Sequence, residues 1–411
     1  MSNSNPSPKP TATHEVWILD SRRTPLDRPG GALGDLQPAA LLAVLIDALQ
    51  VRSAETGLPD PDGSIDTLVL GCASEGGVRA NTLPAALARA GAPALAAASL
   101  IEGGSEAGAE ALRLAVAALR GGEARLAMAG GLHLPARTHG HRGPSPDVLG
   151  ALAALTVSPR TAADVATSLH AIDAQDLQVK LEAWRRAGPP DPQAVADGFI
   201  VPVRDLNGLC VLADDDIGGA AVAREANAPA GVSETRSAQH ALARQAWPDL
   251  GDLALAHPAP LDPPPLQGAG LVLLGRADAA RTFGLRPRAR WVASAAAGHR
   301  TLHMVQAAVG AIDDALARAG WRRSQLDCLA VAGRFRGVPL ALAKALGLDD
   351  SCLIDGPEGW WHGDAGALTP VLALERLLRH LERAGQRRGA LVCPGETGAC
   401  VVVLVERGDH A

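Results

Sequence analysis

The side chains able to do chemistry are few and scattered along 411 positions. Ser105 follows Gly103-Gly104 at the start of a helical pattern, where a serine hydroxyl has two uses. It can cap backbone N–H groups at a helix N-terminus, or it can serve as a nucleophile when a base takes its proton within the transition state. Gly103-Gly104 likewise reads as a tight strand-to-helix turn or as a seat for a phosphate at the helix start. His362 is flanked by Trp360 and Trp361, which could bury it, and Cys393 in Leu391-Val392-Cys393 reads as a small buried hydrophobe. Cys72, Cys210, Cys328, Cys352 and Cys400 lack metal-ligand spacing and read as core residues. His133, His139 and His141 have no Asp, Glu or Cys at matching spacing, so a solvated loop is preferred over a metal site.

The elements that must hold these groups follow from the hydrophobic pattern. Val16–Leu19, 65–71, 97–101 and 124–129 read as strands, and 36–49, 83–90 and 108–119 read as helices. After residue 270 the same grammar returns. Strands are expected at 270–274, 328–331, 389–393 and 399–406, with helices at 305–319, 338–346 and 364–384. Set side by side, Gly104-Ser105 through Gly131 and Gly363-Asp364 through Gly395 show helix, basic turn, apolar strand and glycine-bearing loop in the same order. This predicts an α/β protein with a duplicated, layered fold: two similar βαβαβ-type halves stacked α/β/α/β/α, with an inserted loop domain. The expected boundaries are a disordered tail at 1–13, an N-terminal half at 14–280 that includes a loop insertion at about 132–229, and a C-terminal half at 281–411.

Composition narrows the function classes. The chain has 45 glycines, no tyrosine, three phenylalanines and a 47% hydrophobic fraction, which suits closely packed sheets and helices rather than an aromatic binding surface. A net charge of −6 without a Lys/Arg cluster argues against a nucleic-acid partner. No apolar run approaches the roughly 20 residues of a membrane span, and the Ser/Pro/Asn-rich start has no signal-like apolar stretch. A soluble protein of the reducing cytoplasm is expected.

The segment Leu100-Ile-Glu-Gly-Gly-Ser105-Glu-Ala-Gly108-Ala-Glu-Ala111, followed by a helix, a strand and Ala129-Gly130-Gly131, resembles the nucleophile segment of thiolases. In that family the pattern is Asn-x-x-Cys-x-Ser-Gly-x-x-Ala and then Ala-Gly-Gly, so the nucleophilic cysteine falls on Ser105. The resemblance runs from about Val16 to Arg407. It takes in Arg23-Thr24-Pro25 with Gly30-Gly31, Asn81, Thr161 to Ala166, Ile200-Val-Pro-Val203, and His362 ahead of Cys393. Thiolases transfer an acyl group between coenzyme A and a carbon nucleophile. The resemblance therefore implies a catalytic set of Ser105, His362 as activating base and Cys393 as proton shuttle, with oxyanion donors at Ser105 and Gly395. It implies no permanently bound cofactor, a coenzyme A thioester as substrate, and a homodimer or a heteromer with another thiolase-like chain.

The departures from that pattern shape the expected function. The family's Asn-Glu-Ala-Phe motif falls on Ala332-Gly333-Arg334-Phe335, and its glycine-rich coenzyme A segment falls near Pro260-Leu261-Asp262-Pro263-Pro264. A Ser105–His362 pair could hydrolyse an activated ester. Making a thioester from an oxyester is uphill, so reversible thiolysis suits serine least. The expectation is a thiolase-like acyl-CoA acyltransferase-family protein with a degraded site. The alternatives are a non-catalytic partner of an active thiolase, and a thiolase-like lyase that works without a covalent intermediate.

Overall fold

The computed structural model describes residues 14–28, 30–52, 60, 64–73, 81–92, 97–134, 179, 183, 198–205, 207–216, 266–299, 303–333, 337–354, 364–395 and 398–408. The first half begins with β1 (Val16–Arg23), α1 (Pro38–Leu49), β2 (Thr67–Ala73), α2 (Thr82–Arg89) and β3 (Ala97–Gly103). It continues with α3 (Ala107–Gly121), β4 (Leu126–His133), the short pair β5 (Val203–Arg204) and β6 (Cys210–Leu212), and β7 (Gly268–Arg276). A one-turn link, α4 (Ala277–Thr282), leads to β8 (Ala289–Gly298), α5 (Met304–Ala319), β9 (Cys328–Val331) and α6 (Val338–Leu346). The chain closes with α7 (Thr369–Ala384), β10 (Arg388–Pro394) and β11 (Ala399–Arg407).

The duplication is written in the sheet. Its nine strands run β3-β2-β4-β7-β1-β8-β11-β10-β9. On one side of the centre β1 and β4 both pair antiparallel with β7, and β2 runs parallel to β4. On the other side β8 and β10 both pair antiparallel with β11, and β9 runs parallel to β10. The halves meet where β1 touches β8 over only two residue pairs, Trp17↔Arg290 and Ile18↔Ala289.

Three packed cores separate the layers. α1 and α2 cover the outer face of the first half, through Leu41, Leu45, Leu83 and Leu87 against Leu68, Leu70 and Leu271. α5 and α6 cover the outer face of the second half, through Ile312, Leu316 and Leu342 against Val392, Val402 and Leu404. Between the two half-sheets lie α3 and α7, whose core takes residues from both halves, including Ala127, Val272, Leu391 and Val403. A helix with sheet on two sides must be slim on one face, and α3 meets this with Gly108, Ala109, Ala111 and Ala115, all buried.

Three local features differ from the sequence expectations. α7 starts at Thr369 rather than Asp364, because Asp364 Oδ1 accepts from the Gly366 N–H at 2.9 Å and holds a turn in which Gly366 has φ +49°. β4 extends to His133, past the expected start of the insertion, because its pairing with β7 continues to His133↔Gly268. His133 is therefore a buried strand residue and not part of a solvated loop; His139 and His141 lie outside the described residues.

Candidate active site

The site is assembled at one end of the central layer, where α3 begins. β3 delivers the chain to Gly103, and a turn closed by the Ala107 N–H donating to the Gly104 carbonyl at 3.1 Å carries Ser105 and Glu106 into the helix. Ser105 is buried, and among the described residues its Oγ makes no hydrogen bond. The helix has no side-chain cap, so the capping use of this serine is not realised.

Glycines then allow backbone to meet backbone. A Cβ on Gly108 would lie 2.0 Å from the Ala367 carbonyl oxygen, and one on Gly131 at the end of β4 would lie 1.8 Å from the same atom. No side chain fits at either place, so the Gly366–Leu368 turn docks directly on the first turn of α3 and on Gly131. His133 packs against the same turn: a Cβ on Gly366 would meet its Nδ1 at 2.4 Å. His362, two residues before Asp364, lies outside the described residues.

Cys393 comes in from the other half. It sits near the end of β10, fully buried, on the face that packs against α3 and α7. Beyond it Pro394-Gly395 begins the turn to β11, where the Gly395 N–H donates to the Ala399 carbonyl at 2.7 Å and the Gly398 N–H to the Gly395 carbonyl at 3.1 Å. An oxyanion at Gly395 would thus compete for an amide that already has an acceptor. Ala332 is attached alongside through its N–H to the Val392 carbonyl at 2.7 Å, and Gly333 packs on Pro394. Arg334 and Phe335, the rest of that segment, and the 260–264 stretch lie outside the described residues.

One residue that the sequence reading passed over joins the two halves of the site. A Cβ on Gly395 would lie 2.1 Å from Oε2 and 2.5 Å from Cδ of Glu106, so this carboxylate rests directly on the Gly395 α-carbon. Its Oε2 is buried without a hydrogen-bond partner among the described residues. The one available signal was compositional: in Gly103-Gly104-Ser105-Glu106-Ala107-Gly108 it is the lone large side chain.

The remaining buried thiols nearby are chemically quiet. Burial, with the Glu102 carboxylate beside it, pushes the Cys72 thiol up to about 11. Burial pushes Cys400 up to about 12, with Glu106 adding to the rise and a hydrogen bond with the Cys393 backbone opposing it. Neither is a thiolate near neutral pH. The start of the family-like region is fixed by buried charge: Arg23 is held bidentate by Asp215 at 2.6 and 2.8 Å, and β1 passes Val201 through the Val201 N–H to the Arg23 carbonyl at 2.8 Å. Among the described residues, a groove of about 740 Å³ lies between α1, Arg89 and the Val201–Asn207 segment, and shares no residue with the site around Ser105.

Comparison with known proteins supplies the lineage. Residues 16–142 match the family described as Thiolase, N-terminal domain. Over its whole length, beta-ketoadipyl-CoA thiolase of Pseudomonas aeruginosa is 28% identical to this chain, of which 96% is covered. Cytosolic acetyl-CoA acetyltransferase of Mus musculus is 36% identical over 142 residues, which is 34% of this chain and 35% of that protein. Among solved structures, the acetyl-CoA acetyltransferase of Bacillus anthracis shares the fold with a TM-score of 0.68 at 20% identity, covering 97% of this chain and 100% of that one. The N-terminal domain match, full-length relatives and common architecture together support membership of the thiolase superfamily.

Proposed function

We propose that this chain is an acyl-CoA acyltransferase-like protein with a degraded acyl-transfer site, so that it does not carry out ordinary thiolysis and any retained chemistry is on acyl-CoA thioesters. The observation that carries the reading is Ser105: an alcohol just ahead of α3 whose Oγ makes no hydrogen bond among the described residues. An alcohol becomes a nucleophile only with a base in hydrogen-bond reach, whereas a thiol ionises readily beside a histidine. In this reading Ser105, His362 and Cys393 stand at the positions of the former catalytic set, Ser105 and Gly395 mark the oxyanion position although the Gly395 N–H is already donated to Ala399, and coenzyme A thioesters are the ligands. Ala332 and Gly333 carry no polar side chain to hold a water there.

A second reading, a non-catalytic partner of another thiolase-like chain, is favoured by β3. This strand forms one edge of the sheet, and Ala97, Ala98, Ser99 and Leu100 are exposed along it. An edge of this length ordinarily takes another strand or a cover. None of the six cysteines is joined in a disulfide, which suits a reducing compartment such as the cytoplasm. Among the described residues no helix is long and apolar enough to cross a membrane.

The test is steady-state thiolysis of 3-ketoacyl-CoAs of several chain lengths, comparing the natural chain with Ser105→Ala. Equal background rates are expected. A rate well above background that Ser105→Ala removes would overturn the degraded-site reading.

A further inference from the structure

We propose that Glu106 is a built-in stopper of the acyl-oxygen position, its carboxylate filling the space over Gly395 between the first turn of α3 and the β10–β11 turn. The inference rests on the reading above, that the site around Ser105 descends from an acyl-transfer site, and it adds a specific cause for the loss of turnover. A carbonyl oxygen that becomes an oxyanion must settle against donors with nothing in the way. Here the Gly395 side of that position is closed: its N–H is donated to the Ala399 carbonyl, and Oε2 and Cδ of Glu106 lie 2.1 and 2.5 Å from where a Gly395 Cβ would stand, which leaves the Ser105 side as the one that removal of the carboxylate would open.

The carboxylate is not there for an ordinary structural reason. It does not cap α3. The first-turn acid that does the usual helix work is Glu110, paired with Arg113 three residues on. Among the described residues Glu106 Oε2 is instead buried without a hydrogen-bond partner, a costly state for a carboxylate oxygen. The positive end of α3 offsets part of that cost, since a helix N-terminus attracts an anion within its first turn. The chain's own carboxylate thus fills the place where the acyl oxygen would settle. Its charge is felt across the turn, where it helps hold the Cys400 thiol neutral. A second negative charge in the same space meets both bulk and repulsion.

The test restores a thiol and then removes the stopper. Intact mass is followed over time with acetyl-CoA and acetoacetyl-CoA for the natural chain, Ser105→Cys, Ser105→Cys/Glu106→Gly and Ser105→Cys/Glu106→Gln. Ser105→Cys/Glu106→Ala is carried alongside in case glycine at the helix start prevents folding. The glycine or alanine variant should acquire an acyl group on the order of a hundredfold faster than Ser105→Cys alone, the weight of one oxyanion contact. The glutamine variant, which keeps the bulk, should stay slow. Acylation of Ser105→Cys as fast as either opened variant overturns the stopper. Acylation of the natural chain at Ser105 instead overturns the degraded-site reading, so the two failures are distinct.

Discussion

At the scale of single residues, the chain sorts its nucleophiles by burial. Cys72 and Cys400 are held protonated by their surroundings, with thiols raised to about 11 and about 12. A folded-state value above the unfolded one means that their contribution to stability is complete below the ordinary thiol range and is lost as pH rises through those raised values. Melting temperature should therefore fall as pH climbs from about 9 to about 11, and Cys400→Ala should show a shallower fall; identical slopes would mean that the thiol is not responsible. Ser105 and Cys393 were legible as candidates because residue order alone carries them. Glu106 was not, because its importance lies in a contact with Gly395 from the other half of the chain, 289 positions away by residue number. His133 was misread because the Gly/Pro-rich loop was taken to begin where β4 still has β7 to pair with.

At the scale of elements, the site depends on places where backbone replaces side chain. Gly131→Ala would put a methyl 1.8 Å from the Ala367 carbonyl oxygen, between two backbone segments that are both pinned by the central layer. A loss of about 3 kcal/mol is expected, from overpacking with little room to relax. Gly310→Ala is the contrasting case, since a Cβ there meets nothing within 4 Å and the residue lies inside α5. It should raise stability by about 0.5 kcal/mol. Thermal melts of the two variants check both signs together. The strands and helices of the two halves were legible from alternating apolar runs. The true start of α7 was not, because it is set by an Asp364–Gly366 hydrogen bond and a left-handed glycine rather than by hydrophobic period.

At the scale of the whole molecule, the halves are joined by little sheet and much charge. β1 and β8 share two residue pairs, but Glu375 on α7 accepts from Ser21 of β1, from Arg288 before β8 at 2.6 Å, and from Arg379 at 2.7 Å. Glu375→Ala leaves the half-buried Arg288 with Glu382 and a longer contact to Ser21 Oγ at 3.3 Å, and should cost about 3 kcal/mol, with Glu375→Gln costing less; equal melting temperatures for all three proteins would contradict this. The exposed β3 edge predicts a particle larger than one chain in sedimentation, and a charge placed at Leu100, which is 40% exposed, should shift it toward the monomer. The duplicated fold and its family could be read from the sequence because spacing and order survive over nearly the whole chain, whereas the state of the site depends on which atoms fill a space of a few ångströms. The central claim, that this site no longer transfers acyl groups, is tested most directly by intact-protein mass spectrometry of the natural chain, Ser105→Ala and Cys393→Ala after incubation with a panel of acyl-CoAs. The account predicts no acyl adduct on any of the three. An adduct on the natural chain that disappears only in Ser105→Ala would contradict it and make this serine a working nucleophile.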